Sequence, residues 1–361
     1  KFGFNFGSNT LYSNIMSLIP GHLLTFKKGE LLIKPFVFLN EEAKCKSISN
    51  FEIKELLIDS LKSQINQSDV PCSLMLSGGI DSSLIACLIK KELKKNIFCY
   101  SLTFNNKRVD ESSRINFITK LLDLNVKTIH VEELEVFDKI NDYLKDNNNL
   151  SGNPSSVLMD IISSIISKKF KVSINGLGGD ELFYGYNRHI AFGFMKKYRS
   201  YLKLTPKILI NNLFEKSSKY NNVGNYTRAA GLILNSSKLR VPQAQFYSDT
   251  LIRNPTFNNS NFGEDLRIID LKNYMPNQLL YYSDLMSMRN SLEVRFPFLD
   301  NNLLGYVLNF NSDSFVHGMS GKLPLKSILC SYTGDSFVNL KKKGFEMPIL
   351  KFNQLNEKKN Y

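Results

Sequence analysis

A cluster of small and polar residues near position 80 has the groups needed to bind a polyphosphate. It reads Ser77-Gly78-Gly79-Ile80-Asp81-Ser82-Ser83. Glycines let backbone N–H groups converge on an anion, and the hydroxyls of Ser82 and Ser83 would stand beside the positive end of a helix dipole. Asp81 fits such a site when a divalent cation bridges its carboxylate to phosphate oxygens. No Gly-Lys-[Ser/Thr] follows, so this is not a Walker loop. A Ser/Gly turn that only joins a strand to a helix is the alternative.

A second glycine-rich segment carries two carboxylates. It reads Asn175-Gly176-Leu177-Gly178-Gly179-Asp180-Glu181 and follows another apolar run. Two such loops at neighbouring strand ends, each with an aspartate, could hold one metal-bound triphosphate from two sides. The alternative for Asp180 and Glu181 is an exposed acidic cap at a helix N-terminus.

Charged residues farther along the chain give less specific signals. Glu293 and Arg295 lie in a mostly apolar neighbourhood before Pro297. Buried charges need partners, so this segment predicts an internal ion-pair network that serves either structure or substrate. Lys322 and the run 341–343 belong to two basic patches. On residue types alone, Lys322 is an ordinary solvated lysine.

The loops need strands and helices to position them, and the apolar pattern predicts both from residue 72 onward. Strands are expected at 72–76, 97–104, 126–131 and 171–174, and helices at 82–94, 114–122, 136–144 and 156–169. This alternation predicts an α/β fold with a doubly wound parallel sheet. Ligands of such sheets lie beyond the C-terminal strand ends, where the Ser77 loop falls. Residues 190–270 are expected to form an appended all-α region.

Composition narrows the class of protein. The 361 residues suffice for one large domain or two smaller ones, and 43% hydrophobic with 22% charged residues is typical of globular proteins. The formal charge of +13 is spread over scattered lysines, which suits ATP and a carboxylate better than a nucleic acid. Five cysteines without a CxxC pair disfavour a zinc or redox site. With no membrane-length apolar run and no signal peptide, we expect a cytoplasmic protein without a membrane partner.

Five segments, in this order along the chain, resemble the synthetase domain of the glutamine-dependent asparagine synthetases. They are the Ser77 loop, GLGGDELFYGY, SMRNSLEVRFPFLD, GKLPLK and KKKGFEMP, and they span residues 72–350. The first is similar to the pyrophosphate loop of the ATP-pyrophosphatases, so the resemblance implies an adenine nucleotide alpha-hydrolase-like domain at 50–350. Ile19-Pro20-Gly21-His22 resembles the last strands of that family's glutaminase domain, whose N-terminal cysteine is absent. We therefore expect residues 1–40 to be a short β remnant of a truncated glutaminase domain.

The resemblance implies a reaction with ATP and Mg²⁺. The substrate carboxylate would attack the α-phosphate to give an acyl-adenylate and pyrophosphate, and an amine would then displace AMP. Asp81 and Asp180 would hold Mg²⁺, and Lys322 would neutralise negative charge on the α-phosphate and the carboxylate in the transition state. These three are therefore the expected catalytic residues. The residues expected to bind the nucleotide are Met75, Ser77, Gly78, Gly79, Asp81, Ser82, Leu102, Asn175 and Gly176.

Three departures from the family pattern bear on the substrates. Leu177 stands where many members have an acid that handles the incoming amine, Tyr282-Ser283-Asp284-Leu285 replaces Lys-x-Asp-Arg, and Asn153-Pro154 replaces Asp-Pro. We expect an ATP-dependent amide-forming ligase whose carboxylate is a small molecule, a peptide or a sugar. Ammonia or an amine would be the donor, a separate glutaminase part could supply it, and a homodimer is one expected assembly. An intramolecular cyclase of the β-lactam synthetase or lasso-peptide cyclase type, and a non-catalytic binding protein, are the alternatives.

Overall fold

The structure is a computed structural model and describes the chain in segments. They are residues 8, 10, 12–36, 47–105, 110–132, 135–136, 138–140, 155–186, 189, 267–268, 270–318 and 320–340. The chain forms two compact units. We call Lys54–Leu177, Gln278–Asp300 and Leu325–Tyr361 the sheet unit, and Lys1–Ile53, Gly178–Asn277 and Asn301–Pro324 the hairpin unit.

Between residues 72 and 174 the described strands alternate with helices, as the apolar pattern predicts. The strands are β1 (His22–Lys27), β2 (Glu30–Pro35), β3 (Cys72–Met75), β4 (Phe98–Phe104), β5 (Asn125–Val131), β6 (Val172–Ile174) and β7 (Glu293–Arg295). The α-helices are α1 (Asn50–Asn66), α2 (Ile80–Cys87), α3 (Ser112–Leu122), α4 (Ser155–Ile166), α5 (Gly179–Leu182), α6 (Tyr281–Met288), α7 (Asn301–Val307), α8 (Leu323–Thr333) and α9 (Asp335–Val338). π-Helical segments cover Leu88–Glu92 and Asp270–Leu280, and 3-10 turns cover Pro297–Leu299 and Ser312–Ser314.

The sheet unit contains a five-stranded sheet in the order β5-β4-β3-β6-β7, and every neighbouring pair is parallel. This confirms the predicted α/β fold with a parallel sheet. The four predicted strands differ from the observed β3, β4, β5 and β6 by one residue at one end. Their apolar runs are bounded by polar or glycine-rich turns, which makes strands of this kind readable from sequence.

The fifth strand, β7, is one that the apolar pattern does not predict. Its three residues pair with β6 through Val172 and Glu293 at one end and Ile174 and Arg295 at the other. The segment Glu-Val-Arg has two charged residues out of three, so it carries no strand signal of its own. Pairing with a buried neighbour therefore determines its conformation.

The core of the sheet unit holds both elements that flank the Ser77 loop. In β3, Ser73, Leu74 and Met75 are buried, and in α2 every residue from Ser82 to Cys87 is buried. A helix that is enclosed on all sides cannot shift without disturbing the packing around it. The two ends of the loop are therefore fixed by the core.

The hairpin unit is named for β1 and β2, which pair antiparallel from His22 opposite Pro35 to Lys27 opposite Glu30. The turn between them is Lys28-Gly29, a sequence typical of hairpins. Elsewhere in this unit, Tyr184 and Phe315 pack on the guanidinium of the buried Arg267. Most of the predicted all-α region at 190–270 lies outside the described residues.

Two further expectations concern the whole chain. The division into 1–40 and 50–350 stays a prediction. Within the part of the chain that the structure describes, no helix combines the length and apolar character needed to span a bilayer.

Candidate active site

The Ser77 loop joins the C-terminal end of β3 to the N-terminus of α2, as expected. Gly78 has φ of +75°, a left-handed conformation that favours glycine. On one side the loop is closed, because a Cβ at Gly78 would lie 3.1 Å from both Arg114 Cβ and Ile115 Cγ1. At Gly79, by contrast, a Cβ would approach only Ser77 Oγ, at 3.2 Å. The loop thus has a packed back and an open face.

Hydroxyl and amide groups gather around that open face. Ser77 Oγ lies 3.0 Å from Ser82 Oγ, and the Ser77 N–H donates to Ser82 Oγ at 3.2 Å. The Gly79 N–H donates to Ser77 Oγ at 3.3 Å, a long hydrogen bond. Gly79 is the N-cap of α2 and makes no side-chain cap bond, so the first turn of α2 presents N–H groups that lack an intrahelical partner. This arrangement fits a bound polyphosphate.

Ser83 does not join this group. Its side chain is fully buried in α2, and its Oγ has no hydrogen-bond partner among the described residues. The hydroxyls that meet in the loop are those of Ser77 and Ser82, which are both among the expected nucleotide-binding residues, whereas Ser83, also expected beside the helix dipole, is not part of the group. Helical periodicity explains the difference, because consecutive residues of a helix face different directions.

Arg114 is a residue of the loop's surroundings that sequence reasoning missed. Its Nε donates to the Gly78 carbonyl oxygen at 2.7 Å, and its side chain is buried. Burial lowers the pKa of Arg114 below its ordinary value, an effect that the charge of Glu111 partly offsets. No motif marks Arg114, since it lies 36 residues from Gly78 in sequence.

The residues expected to line the nucleoside pocket lie in or directly after three adjacent strands. Met75 ends β3, Leu102 lies in β4, and Asn175 directly follows β6. The Asn175 side-chain amide donates to Met75 Sδ at 3.2 Å, which joins two of these strand ends. Gly176 packs closely on the start of α2, since a Cβ there would lie 3.1 Å from both Asp81 Cβ and the Ser82 nitrogen. The structure therefore brings Met75, Asn175, Gly176 and the Ser77 loop together.

Asp81 is the second residue of α2, and its carboxylate fits a Mg²⁺–nucleotide group at this helix N-terminus. Among the described residues, no three His, Cys, Asp or Glu side chains are grouped so that they could hold a metal ion. Mg²⁺ is commonly bound by one or two carboxylates, with phosphate oxygens and water completing its shell. Asp81, next to groups that can donate hydrogen bonds to a phosphate, meets that requirement. A metal site made only of protein side chains is not found in the described residues.

Asp180 and Lys322 form an ion pair within the hairpin unit. Lys322 Nζ lies 2.7 Å from Asp180 Oδ1, and the lysine side chain is 5% exposed. The Lys322 backbone is left-handed, with φ of +59°, and its N–H donates to the Phe183 carbonyl at 3.1 Å. A buried lysine held against a carboxylate differs from the ordinary solvated lysine that residue types alone suggest.

The second carboxylate of this segment has another environment. Glu181 is fully buried and accepts a hydrogen bond from the Tyr186 hydroxyl. The N-cap of α5 is Gly178, which makes no side-chain cap bond. The alternative of an exposed acidic cap is therefore wrong for Glu181.

Glu293 and Arg295 form a partly exposed ion pair, where the sequence predicted an internal network. Arg295 Nε lies 2.7 Å from Glu293 Oε1, and Arg295 also donates to the Gln64 carbonyl. The Glu293 side chain is 55% exposed, so this pair is not an internal network. Ion pairs with an exposed partner contribute little to stability.

Comparison with known proteins identifies relatives along almost the whole chain. The profile of the family described as asparagine synthase matches residues 52–358. Asparagine synthetase [glutamine-hydrolyzing] 1 of Bacillus subtilis is 23% identical and aligns with 97% of this chain and 58% of its own length. For asparagine synthetase [glutamine-hydrolyzing] 3 of the same organism the values are 26%, 93% and 55%, and for amidase chyE of Penicillium rubens 24%, 94% and 60%. The chain thus spans little more than half the length of these curated relatives.

Proposed function

The chain belongs to the asparagine synthase family, and from this we propose that it is an ATP-dependent ligase that forms an amide bond on a carboxylate substrate. The observation that carries the proposal is the open face of the Ser77 loop. There the Ser77 and Ser82 hydroxyls, the Gly79 N–H and the N-terminus of α2 form a group that can donate hydrogen bonds to phosphate oxygens.

The proposed reaction has two steps. The substrate carboxylate attacks the α-phosphate of ATP, and pyrophosphate leaves as the acyl-adenylate forms. An amine then attacks the acyl carbon, AMP leaves with the electron pair of the broken C–O bond, and the nitrogen releases a proton to solvent as the amide forms. The Ser77 loop would bind the departing pyrophosphate in the first step, because its donors match an anionic chain.

Charge neutralisation is the second requirement of this chemistry. We assign it to Lys322, whose ammonium is already desolvated and held by Asp180 at 2.7 Å. A fixed cation in a water-poor site stabilises developing negative charge more than a mobile one in water. Mg²⁺, when bound with ATP, would neutralise phosphate charge, and its assignment to Asp81 and Asp180 stays a prediction.

Leu177 bears on the choice of substrate. Its N–H donates to Asn175 Oδ1 at 2.9 Å, and its side chain is half-buried. Leucine can neither accept a proton nor hydrogen-bond an ammonium ion, so it cannot activate a small amine. We propose that the acceptor is a peptide, sugar or other carboxylate in place of free aspartate, and that the nucleophile is bulkier than ammonia.

Pyrophosphate release, screened with Mg·ATP against a panel of carboxylates and amines, tests the proposal. We expect release with a peptide or sugar carboxylate, equimolar AMP, and little asparagine from aspartate plus ammonium. Asp81→Asn and Lys322→Ala, compared with the exposed-site variant Glu55→Gln, should lose the release. A cyclase would differ by releasing pyrophosphate without added amine and giving a product lighter than the substrate by one water.

Two results would contradict the proposal at different levels. Asparagine formed from aspartate and ammonium at ordinary enzymatic turnover would contradict the proposed specialised substrate but would still support an ATP-dependent ligase. Absence of both ATP binding and pyrophosphate release with every carboxylate would contradict the proposed ligase function itself.

A further inference from the structure

Arg114 is held on three sides behind the Ser77 loop. Its Nε donates to the Gly78 carbonyl at 2.7 Å and its Nη1 donates to the Leu340 carbonyl at 2.9 Å. Its guanidinium carbon also lies 4.6 Å from the ring centroid of Phe337. Phe337 is in turn buried and stacked on Phe117, with ring centroids 5.1 Å apart. The guanidinium therefore has little freedom to move, and its hydrogen bond holds the Gly78 carbonyl in one orientation.

The Gly78 carbonyl belongs to the same peptide unit as the Gly79 N–H. The described peptide bonds are all trans, so this carbonyl and this N–H point in opposite directions. With its oxygen bound to Arg114 at the packed back of the loop, the peptide presents the Gly79 N–H at the open face. There it meets Ser77 Oγ at 3.3 Å, long enough for a phosphate oxygen to compete as the acceptor.

A Gly-Gly peptide depends on such a partner more than other peptides do, because the only other hydrogen bond described for it is the long one from the Gly79 N–H to Ser77 Oγ. Both flanking residues lack a Cβ, so rotation of the whole peptide plane meets a low steric barrier. Turned over, the peptide would present its carbonyl oxygen to the phosphates, and two negative groups would repel each other. A buried donor on the far side stabilises only one of the two orientations.

We propose that Arg114 is a positioning residue that keeps the Gly79 N–H directed at the phosphate chain of the nucleotide. This inference rests on the proposed ATP-dependent function and adds a determinant of phosphate affinity that lies outside the glycine-rich motif. Arg114 itself touches no phosphate, since its guanidinium lies behind the loop. Its effect should therefore depend on hydrogen-bond geometry as well as on charge.

Arg267 provides a matched control within the same chain. It too is buried, donates to two backbone carbonyls, of Val307 and Phe310, and contacts two aromatic rings, of Tyr184 and Phe315. Its carbonyl partners belong to α7 and its C-terminal turn and to no phosphate loop. Replacing either arginine by lysine keeps the charge and loses the fork that binds two acceptors at once.

Calorimetric titration with ATP, inorganic pyrophosphate and adenosine measures the effect. For Arg114→Lys we expect ATP and pyrophosphate affinity to fall about tenfold or more, with adenosine affinity unchanged. Arg267→Lys should lower thermal stability about as much as Arg114→Lys does, but it should leave pyrophosphate affinity unchanged. Unchanged ATP affinity in Arg114→Lys, or an equal loss for adenosine, would overturn the inference. A wild-type chain that binds none of the three would instead overturn the proposed function.

A second variant covers the case in which Arg114→Lys does not fold. Phe337→Leu retains both hydrogen-bond donors of Arg114 and removes the aromatic face that fixes the guanidinium plane. We expect a smaller loss of pyrophosphate affinity, again without a loss for adenosine. Wild-type pyrophosphate affinity in this variant would count against the positioning role.

Discussion

Gly185 lies against both members of the ion pair in the hairpin unit. A Cβ at this position would lie 2.0 Å from Asp180 Oδ1 and 2.1 Å from Lys322 Cε. The glycine cannot easily move away, because its N–H donates to the Asp180 carbonyl at 2.7 Å. At this residue even one methyl group would force Asp180 and Lys322 apart, so the pair depends on a glycine that contributes no side chain.

Gly185→Ala should therefore lower ATP-dependent turnover by roughly tenfold to a hundredfold, since a displacement near 1 Å is enough for such losses. Pyrophosphate release and thermal denaturation measure the effect. Gly305→Ala is the control, because Gly305 lies in α7 with no atom within 4 Å of an added Cβ. There we expect unchanged turnover and a gain of about 0.5–1 kcal/mol in the free energy of unfolding. Wild-type turnover in Gly185→Ala would show that the reaction does not need the pair.

Three elements of the sheet unit meet at the carboxylate of Glu92. This residue ends the π-helical segment that continues α2, Lys54 lies in α1, and Tyr332 lies in α8. Lys54 Nζ is 2.8 Å from Glu92 Oε1, and the Tyr332 hydroxyl donates to the same oxygen. The hydrogen bond from Lys54 and, after it, that from Tyr332 hold the pKa of Glu92 below its ordinary value of 4.5. The carboxylate thus links the C-terminal end of the helix that follows the Ser77 loop to Lys54 and Tyr332.

This depressed pKa predicts an acid-sensitive contribution to stability. A carboxylate with a lower pKa in the folded than in the unfolded state stabilises the protein above pH 4.5 and loses that effect as the pH falls through the folded pKa. Thermal denaturation across this range should show wild type more stable than Glu92→Gln near pH 7 and the difference shrinking below pH 4.5. The exposed Glu55→Gln in α1 serves as the control, with little change at either pH. A difference that stays constant down to strong acid would contradict the assignment.

The whole molecule carries a formal charge of +13. A net charge of this size opposes folding through self-repulsion and attracts a polyanion such as ATP. Both effects weaken with salt, because the Debye length falls from about 30 Å at 0.01 M to about 8 Å at 0.15 M ionic strength. Salt should therefore act in opposite directions on the stability of the free chain and on its affinity for ATP.

We expect the melting temperature of the free chain to rise over this range of ionic strength while ATP affinity falls. Adenosine is the control ligand, because it is uncharged and its affinity should hardly change. Thermal denaturation and titration calorimetry at the two ionic strengths test both halves. ATP affinity that does not respond to salt would indicate that short-range contacts in the loop outweigh the field of the chain.

Much of the fold could be predicted from sequence because its signals are local. The strands β3 to β6 are apolar runs with bounded ends, and the Ser77 loop directly follows one of them, so its position at a strand end needs no tertiary information. The strand β7 could not be predicted in this way, because three residues with two charges become a strand only by pairing with β6. Local pattern determines which elements form, whereas short polar elements depend on their neighbours.

The contacts around Asp180 in the hairpin unit, and those around the Ser77 loop in the sheet unit, were each decided by tertiary structure alone. Sequence singled out Asp180 and Lys322, but only the fold shows that they lie 2.7 Å apart and that Gly185 makes room for them. Arg114 carries no motif, and its bond to the Gly78 carbonyl joins positions 36 residues apart. Residue types determine which groups can bind phosphate or carry charge. Which of them meet depends on how distant segments pack, and spacing along the chain does not encode that packing.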